Sequence, residues 1–515
     1  MPTSSRLRLL LAAVLIATAV HAAVTPAPPF ADGAVLQRDK PIAVWGTADP
    51  TESVTVSFHD HTVSTTAAAD GRWSVTLPAL PADSRNATLT IAGTNEITVA
   101  DVVVGDVWLL SGQSNMEWPL KRANDADNEI AAANHPLIRH LKVQHRLAAE
   151  PRIAVDNTGW VTATAATAGE FSAIGYFFAR EVQAEIGVPI GLLNISWGGS
   201  PIERWTSAEA IATQPDPSLY RTRFEAEVAS YPERLAHWEH VNGAYEADRA
   251  VAEAAGEQAL AAFDQTTRRP WKPGNPAHHH GRPSSMFNAM MTPFVPYGIR
   301  GMLWYQGEAN ANRHGEYRDL FTAMITDWRA KFGQGDLPFY WVQLTNFHQP
   351  ARWEWDGREW GFLREAQTQS LALPNTAQAV IVDIGNNFDI HPRNKQDVGA
   401  RLAAIALTRI HGIPRETSGP TFAGVTRDGP RLRVGFDHVA GGLVARDGAV
   451  RELEIAGADG VFHPARGDVV GSVLIVSSPQ VPEPVDVRYA FTNGLEVNLF
   501  GANGLPVAPF RSDDR

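Results

Sequence analysis

The chain of 515 residues contains no cysteine. That absence removes disulfide frameworks, thiol nucleophiles and cysteine metal sites together. Positive charge is the scarcer sign: 44 Lys and Arg stand against 56 Asp and Glu, a formal net charge of −12. A surface of that sign repels phosphate backbones and anionic membranes, so no nucleic-acid partner is expected. Beyond the N terminus there is no uninterrupted apolar run of the roughly 18 residues a spanning helix needs. Nor is the composition extreme, with hydrophobic residues at 44% and charged ones at 19%, which excludes a disordered, collagen-like or coiled-coil chain.

What is present divides by rhythm. The length suits roughly three or four folding units. Arg6 and Arg8, an apolar run over residues 9–20 and small or apolar residues at 20–22 read as an export signal, with the mature chain starting near Ala23. An exported chain without cysteine fits a bacterial periplasm or exterior, with no membrane contact after cleavage. Tryptophan is abundant at 15 residues, which suits a carbohydrate-binding surface, although buried cores take up tryptophan too. Residues 23–104 and 413–515 carry short β-branched stretches between Asn, Asp, Gly and Pro turns, such as VTVSFH and SVLIVSS, and read as β-sandwich-like regions.

Between them, over 105–412, apolar runs alternate with helical patterns. Residues 107–112, 190–197, 299–306, 337–346 and 378–385 each look like a strand buried on both faces, which predicts an α/β unit with a parallel sheet of about five strands. Strand signals stop over about 206–283, where an Ala/Glu-rich stretch predicts a helical hairpin inserted at the rim.

Polar clusters stand at the C-terminal ends of these strands, where an open α/β sheet places its active site. The first runs into Ser111-Gly112-Gln113-Ser114-Asn115-Met116, the second into Ser196-Trp197-Gly198-Gly199-Ser200, the third into Tyr305-Gln306-Gly307-Glu308-Ala309-Asn310, and the fifth into a loop holding Asp383, Asp389 and His391. Taken singly, each has a plain reading: Ser114 as a helix N-cap, the glycines as a turn, the third cluster as a capped loop. Four on successive strand ends point to a site.

SGQSNM, ISWGGSPIERW, WYQGEAN and DIGNNFDIHPRNKQDVGARLA resemble the four signature blocks of the sialate O-acetylesterase family, a carbohydrate-esterase branch of the SGNH hydrolases. The resemblance covers about 100–205 and 285–412. It implies the three-layer SGNH core, with Ser114 as nucleophile, Gly199 as an oxyanion-hole backbone donor beside that of Ser114, Gln306 or Asn310 as the side-chain donor and His391 as general base. Two departures from the wider superfamily stand out: Gly-Gln-Ser replaces Gly-Asp-Ser, and Asp-Ile-His is one residue shorter than Asp-x-x-His. The acid expected to orient His391 is Asp389, since residues i and i+2 of an extended segment share a side and Pro392 favours an extended His391. Asp383, at the end of a buried strand, is expected to be held by backbone donors and to matter for stability.

The mechanism so implied is acyl transfer: imidazole takes the serine proton, a carboxylate stabilises the imidazolium, and acetate stays on Ser114 until water releases it. It requires no metal or organic cofactor. The expected partner is an acetylated oligosaccharide, of xyloglucan or xylan type or bearing sialic acid, with the neutral plant type favoured. Trp197, Arg204, Glu308, Trp353 and Trp355 are the candidate substrate contacts, with Trp360 as a further ring near the site. Packing under a loop is the alternative for the tryptophans and a structural ion pair the alternative for Arg204. His278, His279 and His280 read as a solvated loop. Two other functions fit parts of the pattern: a non-catalytic glycan-binding protein, and a glycoside hydrolase using Glu308 and Asp389.

Overall fold

A computed structural model describes residues 23–513 apart from 268, 280 and 349–356. The proposed export signal and the candidate contacts Trp353 and Trp355 therefore lie outside the described residues, as does His280.

The fold is mixed α/β around one large mixed sheet. Its central strands are β1 (Glu96–Gly112), β2 (Asn134–Lys142), β3 (Val161–Thr164), β4 (Ile190–Ser196), β5 (Gly301–Tyr305), β6 (Phe339–Val342) and β7 (Thr376–Ala379), in the order β3-β2-β4-β1-β5-β6-β7. All neighbours are parallel except β3, which closes the edge antiparallel to β2. The five apolar runs are all represented here, though the fifth is short and residues 380–385 leave the sheet in a turn.

The sixth parallel strand, β2, was not legible because its sequence NHPLIRHLK breaks the apolar run with Arg139 and His140. Both are buried and partnered on other elements: Arg139 donates to the Gly33 carbonyl and pairs with Asp101, while His140 stacks on Phe171.

Alternation along β1 sorts its side chains onto two layers. Trp108 and Leu110 share one face, where Phe178 of α2 (Ala173–Ile186) packs edge-on against Trp108 at 4.8 Å. The register pairs Trp304 of β5 with Ser111, so Trp304 faces the other way. There it meets Phe321 and Trp328 of α5 (His314–Phe332) at 6.2 and 5.8 Å. Among the other helices are α1 (Ser114–Glu117), directly after β1, and α6 (Lys395–His411), which packs on α2. That packing is close enough that a Cβ at Gly399 would sit 2.6 Å from Phe177 Cβ.

β1 runs unbroken through residues 104 and 105, pairing with Asp83–Ala92 and Val35–Gln37 before it enters the central sheet. The N-terminal strands thus share an apolar core with the centre, whereas strands between residues 421 and 511 build a second one that also takes in Val382. The inserted stretch forms the hairpin of α3 (Ser218–Ala254) and α4 (Glu257–Thr266), turning at Gly256 with φ +107°. Arg223 ties its base to Glu316 of α5 at 2.6 Å. Among the described residues no helix is long and apolar enough to cross a membrane.

Candidate active site

β1 delivers Ser114 through a turn that only glycine permits. Gly112 has φ +126°, and a Cβ there would lie 2.1 Å from the Tyr305 carbonyl oxygen. Gln113 takes the N-cap position and Ser114 becomes the first residue of α1, so the hydroxyl does not cap the helix. It meets the imidazole instead: His391 Nε2 lies 2.8 Å from Ser114 Oγ. The two residues are 277 positions apart in sequence.

His391 is half-buried and stacked on Trp118, with ring centroids 4.8 Å apart and planes at 20°. Burial lowers its pKa below the ordinary histidine value. Lys395 and Arg122 push the same way and the Asp389 carboxylate opposes them. An imidazole whose neutral form is favoured, at hydrogen-bond distance from a hydroxyl, is the arrangement in which general-base activation works.

Asp389 lies beside the histidine, but its Oδ1 accepts from the His391 backbone amide at 2.9 Å. Among the described residues the imidazole makes no hydrogen bond other than the one to Ser114, so Asp389 acts on the ring through its charge. Asp383 is held by a side chain and not by backbone donors. Arg401 of α6 grips both its oxygens at 2.7 Å and also donates to the Val380 carbonyl.

The second block sits beside the first because β4 runs parallel to β1 with Ser196 opposite Gly112. A Cβ at Gly198 would lie 3.2 Å from Ser114 Cβ. The Gly198 amide donates to Glu117 Oε2 at 2.8 Å, and Gly199 adopts φ +74°, which glycine tolerates without strain. Glu117 also takes His145 and Lys142 at 2.9 and 3.2 Å. Burial alone would raise its pKa, yet His145, Lys142 and the Gly198 amide bring it down to about 2. His145 in turn lies flat on Trp197, centroids 4.3 Å apart.

The third block separates its two candidate donors. Gln306 Nε2 donates to the Ser200 carbonyl and to Asn310 Oδ1, which uses both its hydrogens, and Tyr317 donates to Gln306 Oε1. Gln306 is therefore a fully engaged buried amide, a correction to its candidacy for the oxyanion hole. Asn310 donates one N–H to Glu203 at 3.0 Å and retains the second. Gln113 Oε1 accepts from the amides of Gly307 and Ala309, so the glutamine of the first block shapes the third.

Glu308 lies in the interior, not on an open rim. Its Oε1 accepts from Asn115 Nδ2 at 2.6 Å, its Oε2 has no hydrogen-bond partner, and burial raises its pKa. Arg204 reaches Glu227 of the hairpin at 3.3 Å and lies over Phe224, so its contacts are those of the structural alternative. Trp360, only 1% exposed, packs on Phe347 in the core and offers no face to a substrate.

Asn115, Glu117, Trp118 and Lys395 were not singled out from the sequence. The first three lie within four residues after Ser114 and Lys395 lies four residues after His391, so proximity to those two residues was the available signal.

The sequence model of the family described as "Carbohydrate esterase, sialic acid-specific acetylesterase" matches residues 104–233 and 261–408. The gap covers much of the hairpin. Sialate O-acetylesterase of Rattus norvegicus is 30% identical over 420 residues, 72% of this chain and 70% of that protein. The Homo sapiens protein of that name is 29% identical over 73% of this chain and 69% of its own. A crystal structure of a carbohydrate acetylesterase from Xanthomonas citri superimposes with a TM-score of 0.79 at 39% identity, covering 96% of this chain and all of that one. The blocks around Ser114, Gly199, Gln306 and His391 thus stand in an ester hydrolase, and the chain belongs to the sialic acid-specific acetylesterase family of carbohydrate esterases.

Proposed function

We propose that this protein is exported and removes O-acetyl groups from acetylated glycans through an acetyl-enzyme on Ser114, within an SGNH-type core. The single observation that carries the reading is the 2.8 Å contact between Ser114 Oγ and His391 Nε2. In this reading His391 takes the hydroxyl proton as Ser114 attacks the acetyl carbonyl, then returns it to the departing sugar hydroxyl. A water, activated by the same imidazole, releases acetate. The oxyanion is received by the backbone amides of Ser114 and Gly199 and by the remaining N–H of Asn310, each such donor being worth roughly 2.7–4 kcal/mol. Asp389 stabilises the imidazolium by charge and fixes the backbone at His391.

Support for a sugar substrate comes from rings near the loop: Phe388, three residues before His391, is 74% exposed, and Trp197 is half-buried beside Gly198. The acidic chain and its export signal favour a neutral xyloglucan or xylan oligomer acting outside the cytoplasm, with residues 23–104 and 413–515 as accessory β regions. A second reading, an acidic sugar such as an O-acetyl sialic acid, draws on Arg122, an exposed cation 5.5 Å from the Trp118 ring that stacks on His391.

Acetate release from acetylated xylan, acetylated xyloglucan oligomers and O-acetyl sialic acid decides between the two. Rapid turnover of the sialic acid alone overturns the neutral substrate. Glycan binding with no acetate release from any of them overturns the catalytic reading.

A further inference from the structure

Lys395 opens α6 and is buried to 1% exposure. Its ammonium donates to Asn115 Oδ1 and lies 5.6 and 5.9 Å from the ring centres of Tyr305 and Trp118. Asn115 spends its other end on two partners, donating from Nδ2 to Glu308 Oε1 at 2.6 Å and to the Ile390 carbonyl at 3.0 Å. The residue after the nucleophile therefore holds the carbonyl of the residue before the base.

A carboxamide can face the wrong way, and its two ends differ only in which donates. An ammonium can only donate, so with Lys395 at one end the oxygen must turn to it and the NH₂ must turn to Glu308 and Ile390. Burying a lysine is costly, and a neutral donor would have filled the space at lower cost.

We propose that Lys395 is a positioning residue for the Ser114–His391 pair, its buried ammonium orienting Asn115 so that the His391 loop is latched onto the nucleophile turn. The inference rests on the reading of Ser114 and His391 as nucleophile and base. The charge has a second effect. The ionised groups acting on His391 are Lys395 from α6, Arg122 from the turn after the nucleophile and Asp389 from its own loop. Those acting on Lys395 are Glu308 and Asp389. Burial lowers the Lys395 pKa to about 7, and the charge that the lysine carries below that pH disfavours protonation of the ring.

The test compares wild type, Lys395→Met, Lys395→Arg and Ser114→Ala on 4-nitrophenyl acetate across pH, with thermal melting of each. Lys395→Met is expected to lower kcat about 30-fold or more with KM within about threefold, the pattern of a lost positioning contact. Removing the cation raises the His391 pKa, so the acidic limb of kcat/KM should move up by about half a pH unit or more. Lys395→Arg keeps the charge and should leave that limb in place. A folded Lys395→Met with wild-type kcat, or with reduced kcat and an unmoved limb, overturns the inference. Should Lys395→Met melt below the assay temperature, Lys395→Arg carries the test, and a limb that moves up with the charge retained overturns it. Activity in Ser114→Ala would instead bring down the reading of the site. An inert Ser114→Ala beside an unaltered Lys395→Met would leave that reading standing and remove only this inference.

Discussion

Asn387, four residues before His391, is pinned from both ends of its amide to Leu495 in the C-terminal strand region: Oδ1 accepts from the Leu495 amide at 2.9 Å and Nδ2 donates to its carbonyl at 3.2 Å. Asn346, beyond β6, adds a third bond to Oδ1 at 2.9 Å. The loop that carries the base is thus held by a segment more than 100 residues later. Asn387→Ala removes three hydrogen bonds; Asn346 Nδ2 and the Leu495 carbonyl keep each other at 3.2 Å, and the partly buried Leu495 amide is left unmatched, a loss of roughly 1–3 kcal/mol in stability. With the loop freed, kcat should fall about 10- to 100-fold, since small misplacement of a reacting group costs rate steeply. A melting curve and a kcat measurement check both; unchanged kcat would detach the clamp from catalysis.

Ser114→Ala removes the hydroxyl bonded to His391. Loss of a triad nucleophile costs on the order of 10⁶ in turnover. The melting temperature should stay near wild type, because the hydroxyl caps no helix. More than about a tenth of wild-type activity would rule out Ser114 as nucleophile.

Asp389→Asn and Asp383→Asn should part company. Asparagine at 389 can still accept from the His391 amide but carries no charge, so turnover should fall, by less than the roughly 10⁴ that follows when an acid bonded to the imidazole itself is lost. Because the Asp389 carboxylate raises the His391 pKa, its removal lowers that pKa and the acidic limb of kcat/KM should move to lower pH, opposite to Lys395→Met. Asp383→Asn breaks the two-pronged Arg401 pair and should lower the melting temperature while leaving the pH profile in place. An active Asp389→Asn beside a folded, inert Asp383→Asn would reassign the acid.

Glu117 makes a prediction about acid stability. Its pKa is depressed to about 2, so its contribution is complete above the ordinary glutamate value near 4.5 and is lost as pH falls towards 2. The difference corresponds to about 3 kcal/mol. In urea titrations the stability gap between wild type and Glu117→Gln should shrink by about half or more from pH 6 to pH 3. A gap of constant size would mean the glutamate acts through shape alone.

The sequence by itself determined what depends on short-range pattern: five apolar runs became strands, an Ala/Glu-rich stretch became a helical hairpin, and four polar blocks marked strand ends. Parallel pairing then required those ends to converge on one edge, which brings Ser114 to His391. The tertiary structure alone decided the partners of polar side chains. Gln306 looked like a free donor and is consumed by Ser200 and Asn310. Trp360 looked like a rim ring and lies in the core. Glu308 looked like a substrate contact and faces Asn115. Arg139 and His140 disguised β2 because their partners, Gly33, Asp101 and Phe171, lie on other elements. Residue type shows what an amide, a carboxylate or a ring can bond to, and only packing settles which of its possible partners arrives and whether water is left to compete.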